Sequence, residues 1–465
     1  MSTAETEKLS FKEKFGYALG DTASNLFWMT LIFFGAYFYT DVFGLKPSQV
    51  GTMLLVTRIL DTIFDPIVGI WADRTNTRWG KFRPFILWFV LPFGLAGTLA
   101  FYTPGFGETG KLIYAYITCT MIGLVYSAIN LPYSALLGVI SPSNEERTKA
   151  SSFRFVGAYA AGLFVSLFTK DLVKFFGGGN AQTGWAMTVG FYGLLGMIMW
   201  IVCFASTKER VKPAAGQHSS FLRDLQDVVT NVPWLVLFLL GIFTLGYVSM
   251  RNGSFAYYFK YYVPDQSVLG IKMTTDRILG IFLVIGSISS LFGTAVVAPF
   301  AKWLGKKQLY MALMGIASVL TIAFYFLRPQ DVLLMFILQI LANLLMGPTT
   351  ALVYAMYADA SDYAEWKNGR RSTGLVFAAS SFAQKMGWTI GGAVSMWVLS
   401  IFGYEAGVAQ SVESIHGLRL LSSFIPAIGS VAAALLPLLY TLDDNRMKMI
   451  ESDLQARRAP TQPSA

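Results

Sequence analysis

Long apolar runs recur along the whole chain, and they constrain its fold more than any other feature of the sequence. Each run reaches the roughly 18 residues that a helix needs to cross the hydrocarbon core of a bilayer. The composition agrees, because 54% of the 465 residues are hydrophobic and only 14% are charged, unlike the balance of a soluble domain. The sequence therefore predicts an all-α membrane protein with twelve transmembrane helices.

The predicted spans are separated by short polar connections. They are residues 15–39, 48–72, 84–104, 111–139, 153–176, 184–206, 233–259, 278–300, 308–327, 332–358, 373–403 and 417–441. The polar start of the chain precedes an apolar run that is too long for a signal peptide, so we expect the first span to remain as an anchor. Cys119 and Cys203 both fall inside spans, where we expect small core residues and no disulfide or metal site.

The basic residues indicate the topology. The chain has 36 Lys and Arg and a net charge of +9. In a membrane protein an excess of Lys and Arg marks the cytoplasmic loops, and most of these residues fall there when the amino terminus is placed inside. The sequence thus predicts a multi-pass protein of the cell inner membrane with both termini cytoplasmic, and its positive charge requires no nucleic-acid partner.

Two short sequence echoes indicate an internal duplication. ADRTNTRWGKFRP after the second span resembles APFAKWLGKKQLY after the eighth, and NEERTKASS after the fourth resembles NGRRSTGLV after the tenth. Both echoes have nearly the same displacement and join equivalent spans, which is typical of transporters built from two six-helix pseudo-repeats. We predict an N-terminal six-helix bundle (1–206), a cytoplasmic linker (207–232), a C-terminal six-helix bundle (233–441) and a cytoplasmic tail (442–465). Within the linker, residues 221–229 form either an amphipathic surface helix or a solvated connector.

A charged motif, RILDTIFDPIVG, interrupts the second span. Asp61 and Asp65 each cost about 2.5–3.5 kcal/mol at the centre of a membrane helix. Being four residues apart, they share one face and repel each other unless a cation or a proton lies between them. Arg58 is on the same face but neutralises only part of the pair. Two interpretations remain: a site for a small transported cation, which prefers carboxylate oxygens, or a static Arg58–Asp61–Asp65 ion cluster.

Several motifs together resemble one transporter family. FGYALGD, YTDVFGL, RILDTIFDPIVGIWADRTNTRWGKFRPFIL, NLPYSALLGVI and DASDYAEWKNGRRSTG are similar to the motifs of the glycoside-pentoside-hexuronide:cation symporters, the melibiose permease relatives within the major facilitator superfamily. The resemblance implies the major facilitator fold and symport of a glycoside, pentoside or hexuronide with Na+ or H+ by alternating access. It also implies that Asp61 and Asp65 ligate the coupling cation and that Ser127 joins this site.

The sequence departs from the family pattern at several positions. Phe64 stands where melibiose permease has a polar residue between the two acids, so the choice between Na+ and H+ stays open. Asn25 and Asn130 are matched to two of its sugar-binding acids, so its galactoside preference does not carry over, although both amides can still bond sugar hydroxyls. The resemblance also implies sugar binding by Arg154 and a role for Lys385 near both sites.

Arg251 is a binding candidate from its position alone. It lies in the middle of the seventh span among aromatic residues, where a charged side chain is expected to face a water-filled cavity. It either contacts a sugar hydroxyl or a substrate carboxylate, or pairs with an acid such as Asp21 or Asp65. Lys385 has the same two interpretations.

Two charged loops are candidates for a cytoplasmic latch between the halves. They are WADRTNTRWGKFRP and DASDYAEWKNGRR, in which acids of the second loop accept bases from across the duplication. Ordinary solvated loop charge is the alternative for each residue. The gating candidates are Asp73, Arg74, Lys81, Arg147, Asp359, Asp362 and Arg371.

Other classes of function fit the sequence less well. An enzyme would need a nucleophile, a metal cluster or a catalytic base, but His218 falls in the linker and His416 near the external end of the last span, and no zinc-binding motif occurs. The alternatives within transport are a facilitative sugar carrier without coupling and a lysolipid transporter of the same fold. We expect a small-molecule sugar substrate, the lipid bilayer as surroundings, no cofactor beyond the coupling ion, and a functional monomer.

Overall fold

The computed structural model describes residues 8–211, 230–368 and 373–458. Each of the twelve predicted spans contains a helix. Within these ranges, nine helices are long enough and apolar enough to cross a membrane. The helix at Pro47–Arg74 is outside that group, and its sequence contains five charged residues, Arg58, Asp61, Asp65, Asp73 and Arg74. The all-α membrane fold is thus confirmed, and the count of twelve spans stays a prediction.

The first sequence half contains six long helices. They are α1 (Phe11–Thr30), α2 (Pro47–Arg74), α3 (Arg83–Ala100), α4 (Glu108–Val139), α5 (Asn144–Gly177) and α6 (Ala181–Ser206). α1 begins with a capping box in which Ser10 and Glu13 bond each other's backbone amides, and π-helical turns at Leu31–Gly35 and Phe38–Val42 continue it. α5 ends at Gly178, whose φ of 52° lies in the left-handed region that glycine tolerates.

The second sequence half has more elements than the prediction. They are α7 (Val232–Tyr262), β1 (Gln266–Val268), β2 (Ile271–Met273), α8 (Thr275–Leu304), α9 (Lys306–Ala323), α10 (Val332–Asn368), α11 (Thr373–Ile401), α12 (Val412–Leu421), α13 (Phe424–Leu435) and α14 (Asp444–Arg458). The two short antiparallel strands turn at Leu269 and Gly270, which both have positive φ.

The last predicted span, 417–441, differs from the structure in two ways. The helical segment starts earlier, at Val412, and it is interrupted between α12 and α13. Pro426 lies in the first turn of α13, where its missing amide hydrogen is tolerated. The predicted tail also holds a helix, because Met447, Ile450 and Leu454 of α14 are buried in the apolar core beside Trp366.

Small residues bring the helices of the first half close together. α1 packs on α5 and α6, α3 on α4 and α6, and α2 on α4. At Gly193 an added Cβ would lie 2.9 Å from the carbonyl oxygen of Gly94, so the α3–α6 contact requires glycine there. Lipid tails are as apolar as the helix side chains, so the hydrophobic effect does not drive helices together in a membrane. Close van der Waals packing between helices contributes this stabilisation instead.

The described chain packs as two compact units. The first comprises residues 8–211, 252–284 and 392–418, and the second comprises 230–251, 285–368, 373–391 and 419–458. Two segments of the second sequence half therefore pack with the first half. The bundle boundaries predicted at 206 and 233 coincide with helix ends but stay predictions as domain limits.

Candidate functional site

Asp61 is the most buried charged residue of the α2 motif. It is 1% exposed, and its Oδ1 accepts a hydrogen bond of 2.7 Å from the Ser127 hydroxyl of α4. Arg58 lies one turn earlier on α2, with its guanidinium nitrogen 3.5 Å from Asp61 Oδ2. The structure therefore brings together Arg58, Asp61 and Ser127, three residues that the sequence had associated.

The arginine of this site is fixed by aromatic rings as well as by the acid. The guanidinium carbon of Arg58 lies 4.4 Å from the centre of the Trp28 ring of α1, and Trp28 stacks on Tyr126 of α4 with 5.4 Å between ring centres. A cation over an aromatic face is attracted by the ring quadrupole. Arg58 thus joins α1, α2 and α4 around Asp61.

A glycine and a proline lie beside the two acids of α2. Gly123 of α4 faces Asp61, and a Cβ added there would lie 3.5 Å from Asp61 Cβ, which is an ordinary contact distance. Asp65 follows one turn after Asp61 and is half-buried. Pro66 next to it lacks an amide hydrogen, so the carbonyl one turn earlier, at Thr62, receives no helical bond from it.

A second buried ion pair joins α1 to α5. Asp21 is 8% exposed, and the Arg154 Nε lies 3.3 Å from its Oδ2. The Arg154 guanidinium also lies 5.1 Å from the ring centre of Tyr133. An added Cβ at Gly157 would lie 2.9 Å from the carbonyl oxygen of Ala18, so this glycine lets α5 approach α1 at the pair.

The two candidate asparagines lie close to this pair in the same unit. Asn25 donates from its amide to the carbonyl of Asp21 at 2.8 Å. Asn130 accepts from the Ser24 hydroxyl at 2.9 Å and donates to the carbonyl of Tyr126 at 3.1 Å. The structure thus gathers Asp21, Asn25, Asn130 and Arg154 on α1, α4 and α5, a set of donors and acceptors suited to sugar hydroxyls.

Arg251 belongs to the second unit and is 5% exposed. Its guanidinium donates to the Tyr247 hydroxyl and to the Gln339 side-chain oxygen, both at 3.2 Å. The Tyr247 hydroxyl in turn lies 2.8 Å from the Thr321 hydroxyl. Arg251 is therefore built into a polar network of α7, α9 and α10, while Asp21, one of the acids considered for it, pairs with Arg154.

The structure also gives the positions of three further residues that the sequence singled out, Lys385, Cys119 and Cys203. Lys385 lies on α11 in the second unit and is half-buried. Cys119 and Cys203 are both buried, as expected of core residues. The Cys119 sulfur lies 3.6 Å from the Thr57 hydroxyl.

The loop between α2 and α3 is held by an acid that the sequence had not singled out. Both Glu209 carboxylate oxygens accept backbone amides at the start of α3, from Lys81 at 2.9 Å, Phe82 at 2.8 Å and Arg83 at 3.0 Å. A carboxylate at a helix N-terminus is stabilised by the amides and by the helix dipole. Gly80 has a φ of 107°, in the region that favours glycine, and forms a tight turn in this loop.

The remaining gating candidates are spread over the two units. Asp359 is paired with Lys306 of α9, a base of its own sequence half, so a partner across the duplication stays a prediction. Arg147 donates to the carbonyl of Gly138 at 3.1 Å, and Arg74 is exposed at the end of α2 while Asp362 is half-buried on α10. The Asp73 side chain, Arg371, His218 and residues 221–229 lie outside the described part of the chain.

Sequence reasoning missed three polar residues that the structure places at these networks. Asp21 had been considered only as a partner of Arg251, although an acid in the first apolar run costs as much as Asp61. Gln339 lies in the apolar run of α10 and carries the same kind of signal. Glu209 follows α6 in a charged segment, and no pattern in the sequence links it to α3.

The fold and its buried charges define a polytopic α-helical membrane transporter, not an enzyme. The chain belongs to the MFS/sugar transport protein family, whose model matches residues 16–444, and this confirms the resemblance seen in its motifs. It is 36% identical to the inner membrane symporter YicJ of Escherichia coli (strain K12), covering 97% of this chain and 96% of that protein. It is 33% identical to the isoprimeverose transporter of Lactiplantibacillus pentosus, and the match covers 98% of this chain and 94% of that protein.

The fold agrees with a solved transporter. A crystal structure of a mutant of the nucleoside transporter NupG superposes with a TM-score of 0.67 at 14% identity, covering 92% of this chain and 100% of that one. At this identity the likeness speaks for the fold alone, which is the major facilitator fold that the motifs implied.

Proposed function

We propose that this protein is a cation-coupled glycoside symporter that works by alternating access in the cell inner membrane. The observation that carries the proposal is the burial of Asp61 beside Ser127, with a second acid one turn later. Arg58 lies 3.5 Å from one Asp61 oxygen, and Asp65 places a second carboxylate one turn later on the same helix, where the two acids repel each other unless a cation or a proton lies between them. In this proposal the transported cation or proton relieves that repulsion and is released with the sugar.

The coupling ion is H+ or Na+. The Asp61 and Ser127 oxygens and the nearby Asp65 carboxylate offer hard oxygen ligands, which Na+ requires in greater number than H+ does. Phe64, between the two acids, contributes no oxygen. The proposal therefore favours H+, and the Na+ alternative is decided by the experiment below.

The substrate proposed for the first unit is a neutral glycoside. Arg154 is neutralised by Asp21, so this pair presents a donor and an acceptor to hydroxyls without a net charge. A hexuronide carboxylate near the pair would be repelled by the like charge of Asp21. Its alternative contact is Arg251, a buried guanidinium of the second unit. The forked donors of a guanidinium suit a carboxylate, which is the specific reason to keep a glucuronide as the second candidate.

The orientation and assembly belong to the same proposal. The excess of Lys and Arg in the loops on one side supports cytoplasmic termini. One relative is named an inner membrane symporter, which supports the same location for this chain. We propose that one copy is the working unit.

The test is uptake into proteoliposomes under an imposed proton gradient and, separately, under a sodium gradient. The panel comprises isoprimeverose, a neutral hexoside, a neutral pentoside and a glucuronide. Accumulation of a neutral sugar under one gradient supports the proposal and names the ion, and accumulation of the glucuronide alone moves the substrate contact to Arg251. Equilibration without accumulation under both gradients would make the protein a facilitator and the acid pair a structural feature.

A further inference from the structure

Asp41, just after the first span, is the buried centre of a polar cluster that the sugar and cation sites do not use. Its side chain is 0% exposed. It accepts from Lys260 Nζ at 2.7 Å, from the Tyr404 hydroxyl at 2.6 Å, from the Thr40 hydroxyl at 2.8 Å, and from the Tyr261 hydroxyl. We call these five residues, Thr40, Asp41, Lys260, Tyr261 and Tyr404, the Asp41 cluster.

Aromatic rings enclose the basic member of the Asp41 cluster. Lys260 Nζ lies 4.8 Å from the ring centres of both Tyr37 and Tyr261, so the ammonium is held between a carboxylate and two π faces. Burial and the neighbouring Asp41 charge raise the pKa of Tyr404 well above its ordinary value, so its hydroxyl remains a donor to the acid.

A second set of charged residues lies beside Tyr37, whose ring also contacts Lys260. Lys170 of α5 lies 3.9 Å from the ring centre of Tyr37 and 3.8 Å from Asp276 at the start of α8. Lys174, one turn further along α5, lies 2.7 Å from Asp276. The charges are arranged reciprocally: Asp41 of the first sequence half pairs with a base of the second, and Asp276 of the second half pairs with bases of the first.

These contacts all lie within the first compact unit, and they explain why 252–284 and 392–418 pack with it. The residues come from the ends of α1, α5, α7, α8 and α11 and the segment that follows α11. In the topology proposed above, on which this inference rests, all these ends are external.

We propose that the Asp41 cluster, supported by the Asp276 pairs, is the external gate of the transporter, which holds the outer ends of the two sequence halves together in one state and separates in the other. The Lys260 side chain is already 36% exposed, whereas that of Asp41 is fully buried, so opening exposes the Asp41 carboxylate to water and exchanges its partners for hydration. Removal of Lys260 leaves the fully buried Asp41 carboxylate without its base, which is strongly unfavourable in the closed state. Removal of Asp41 takes away the acceptor that joins Lys260, Tyr261 and Tyr404. Single neutral substitutions are therefore expected to favour the open state.

The test measures access from outside to a cysteine below the cluster. Ala256 is 3% exposed and lies one turn before Lys260 on the same face of α7. Ala256→Cys is made in a chain with Cys119→Ala and Cys203→Ala, which removes both natural cysteines. Right-side-out vesicles are then treated with a membrane-impermeant maleimide, and the labelling rate is compared with and without Asp41→Asn.

We expect Asp41→Asn and Lys260→Met each to raise the labelling rate at position 256 about tenfold or more. The double variant should label no faster than the faster single variant, because either change breaks the same pair. Glu108→Gln, which removes an exposed acid at the start of α4, is the matched control and should leave the rate unchanged. Equal rates for the parent and both cluster variants would overturn the proposal.

A second reporter separates gate opening from general loosening. Cys203 is fully buried in the same unit, beside Tyr17, and is kept in a chain with Cys119→Ala. It should stay protected in Asp41→Asn, and a parallel rise at Cys203 would overturn the proposal. Because labelling requires no sugar or gradient, a failure of the proposed symport leaves this readout intact, and the two failures are distinguishable.

Discussion

Ser127 donates a hydrogen bond of 2.7 Å to the carboxylate of Asp61, a residue only 1% exposed. The bond joins α4 to α2 within the first compact unit. Because buried polar groups require hydrogen-bond partners, the Ser127 hydroxyl stabilises the Asp61 carboxylate, and it is also a candidate cation ligand.

Replacing Ser127 with alanine should reduce the affinity for the coupling cation more than it reduces the stability of the fold. The loss of a donor to a buried charged acceptor costs about 1–3 kcal/mol, which corresponds to a fall in cation affinity of roughly 5-fold to 150-fold. The measurement is the dependence of sugar uptake on cation concentration. Ser166→Ala is the control, because its hydroxyl bonds the carbonyl of Gly162 in its own helix; an equal effect of both variants would contradict a cation-ligand role.

Asp65→Asn should abolish concentrative uptake while insertion and folding persist. Asparagine keeps the shape of the side chain but removes the charge that the transported ion neutralises, and it lowers the cost of keeping this position in the membrane. Sugar accumulation under the effective gradient is compared with sugar exchange at equal concentrations on both sides. Unchanged accumulation would count decisively against a coupling role for Asp65.

Linkage adds a quantitative check to the same measurement. If the cation raises sugar affinity by some factor, the sugar must raise cation affinity by that factor. Titrations of sugar with and without cation, and of cation with and without sugar, should agree in the unaltered protein. In Asp65→Asn we expect the factor to fall towards one.

Asp21→Asn should impair sugar binding by leaving Arg154 without its acid. The pair is well buried, so removing one partner should also lower the free energy of unfolding by about 1–3 kcal/mol. Sugar affinity is measured by titration and stability by thermal unfolding in detergent. The double variant Asp21→Asn with Arg154→Gln should recover part of the stability but not the sugar affinity; recovery of both would place the pair outside the binding site.

Much of the fold was predictable, because each span carries its own signal in a run of apolar residues. All twelve predicted spans contain a helix, and the Gly80–Lys81 and Gly305–Lys306 echo corresponds to two glycines with positive φ, 107° and 81°, each just before a helix. The break between α12 and α13 and the packing of α14 were not predictable, since they depend on which surfaces meet after folding.

Site residues were predictable where the free-energy cost of a charged side chain in lipid marks them. They were unpredictable where their role depends on partners distant in sequence. Asp61 was identified by that cost and Ser127 by the family resemblance, and the two side chains do meet. Asp21 was available to the same criterion but was not used, whereas the contact of Glu209 with the start of α3 spans more than a hundred residues and leaves no periodic trace. The Asp41 cluster is of the second kind, because its acid and base come from different sequence halves.

Gly80→Ala should destabilise the loop between α2 and α3 through two effects. The backbone there has a φ of 107°, and an added Cβ would lie 2.3 Å from the Glu209 carboxyl carbon. Strain of this kind costs about 1–3 kcal/mol. Gly105→Ala is the matched control, because nothing lies within 4 Å of its added Cβ. The two variants are compared by thermal unfolding, and equal melting temperatures would show that the turn is not held by Glu209.

Glu13 gives a pH dependence with a definite sign. Partial burial acts to raise its pKa, but the hydrogen bond from Arg210 and the backbone amide of Ser10 hold that pKa below its ordinary value of 4.5. A carboxyl with a lowered folded-state pKa contributes stability that is fully present above about pH 4.5 and is lost as the pH falls through the folded-state pKa. The Arg210 guanidinium lies 2.5 Å from the Glu13 carboxylate and ties the segment after α6 to the start of α1.

Glu13→Gln should therefore lower the melting temperature at pH 7, and its difference from the unaltered protein should shrink steadily between about pH 4.5 and pH 3. Glutamine removes the charge but can still reach the Ser10 amide, so the change isolates the contribution of the ion pair. Glu108→Gln serves as the exposed control and should leave the pH profile of melting unchanged. A difference between Glu13→Gln and the unaltered protein that stays constant down to pH 3 would mean that the Glu13–Arg210 pair does not stabilise the folded state.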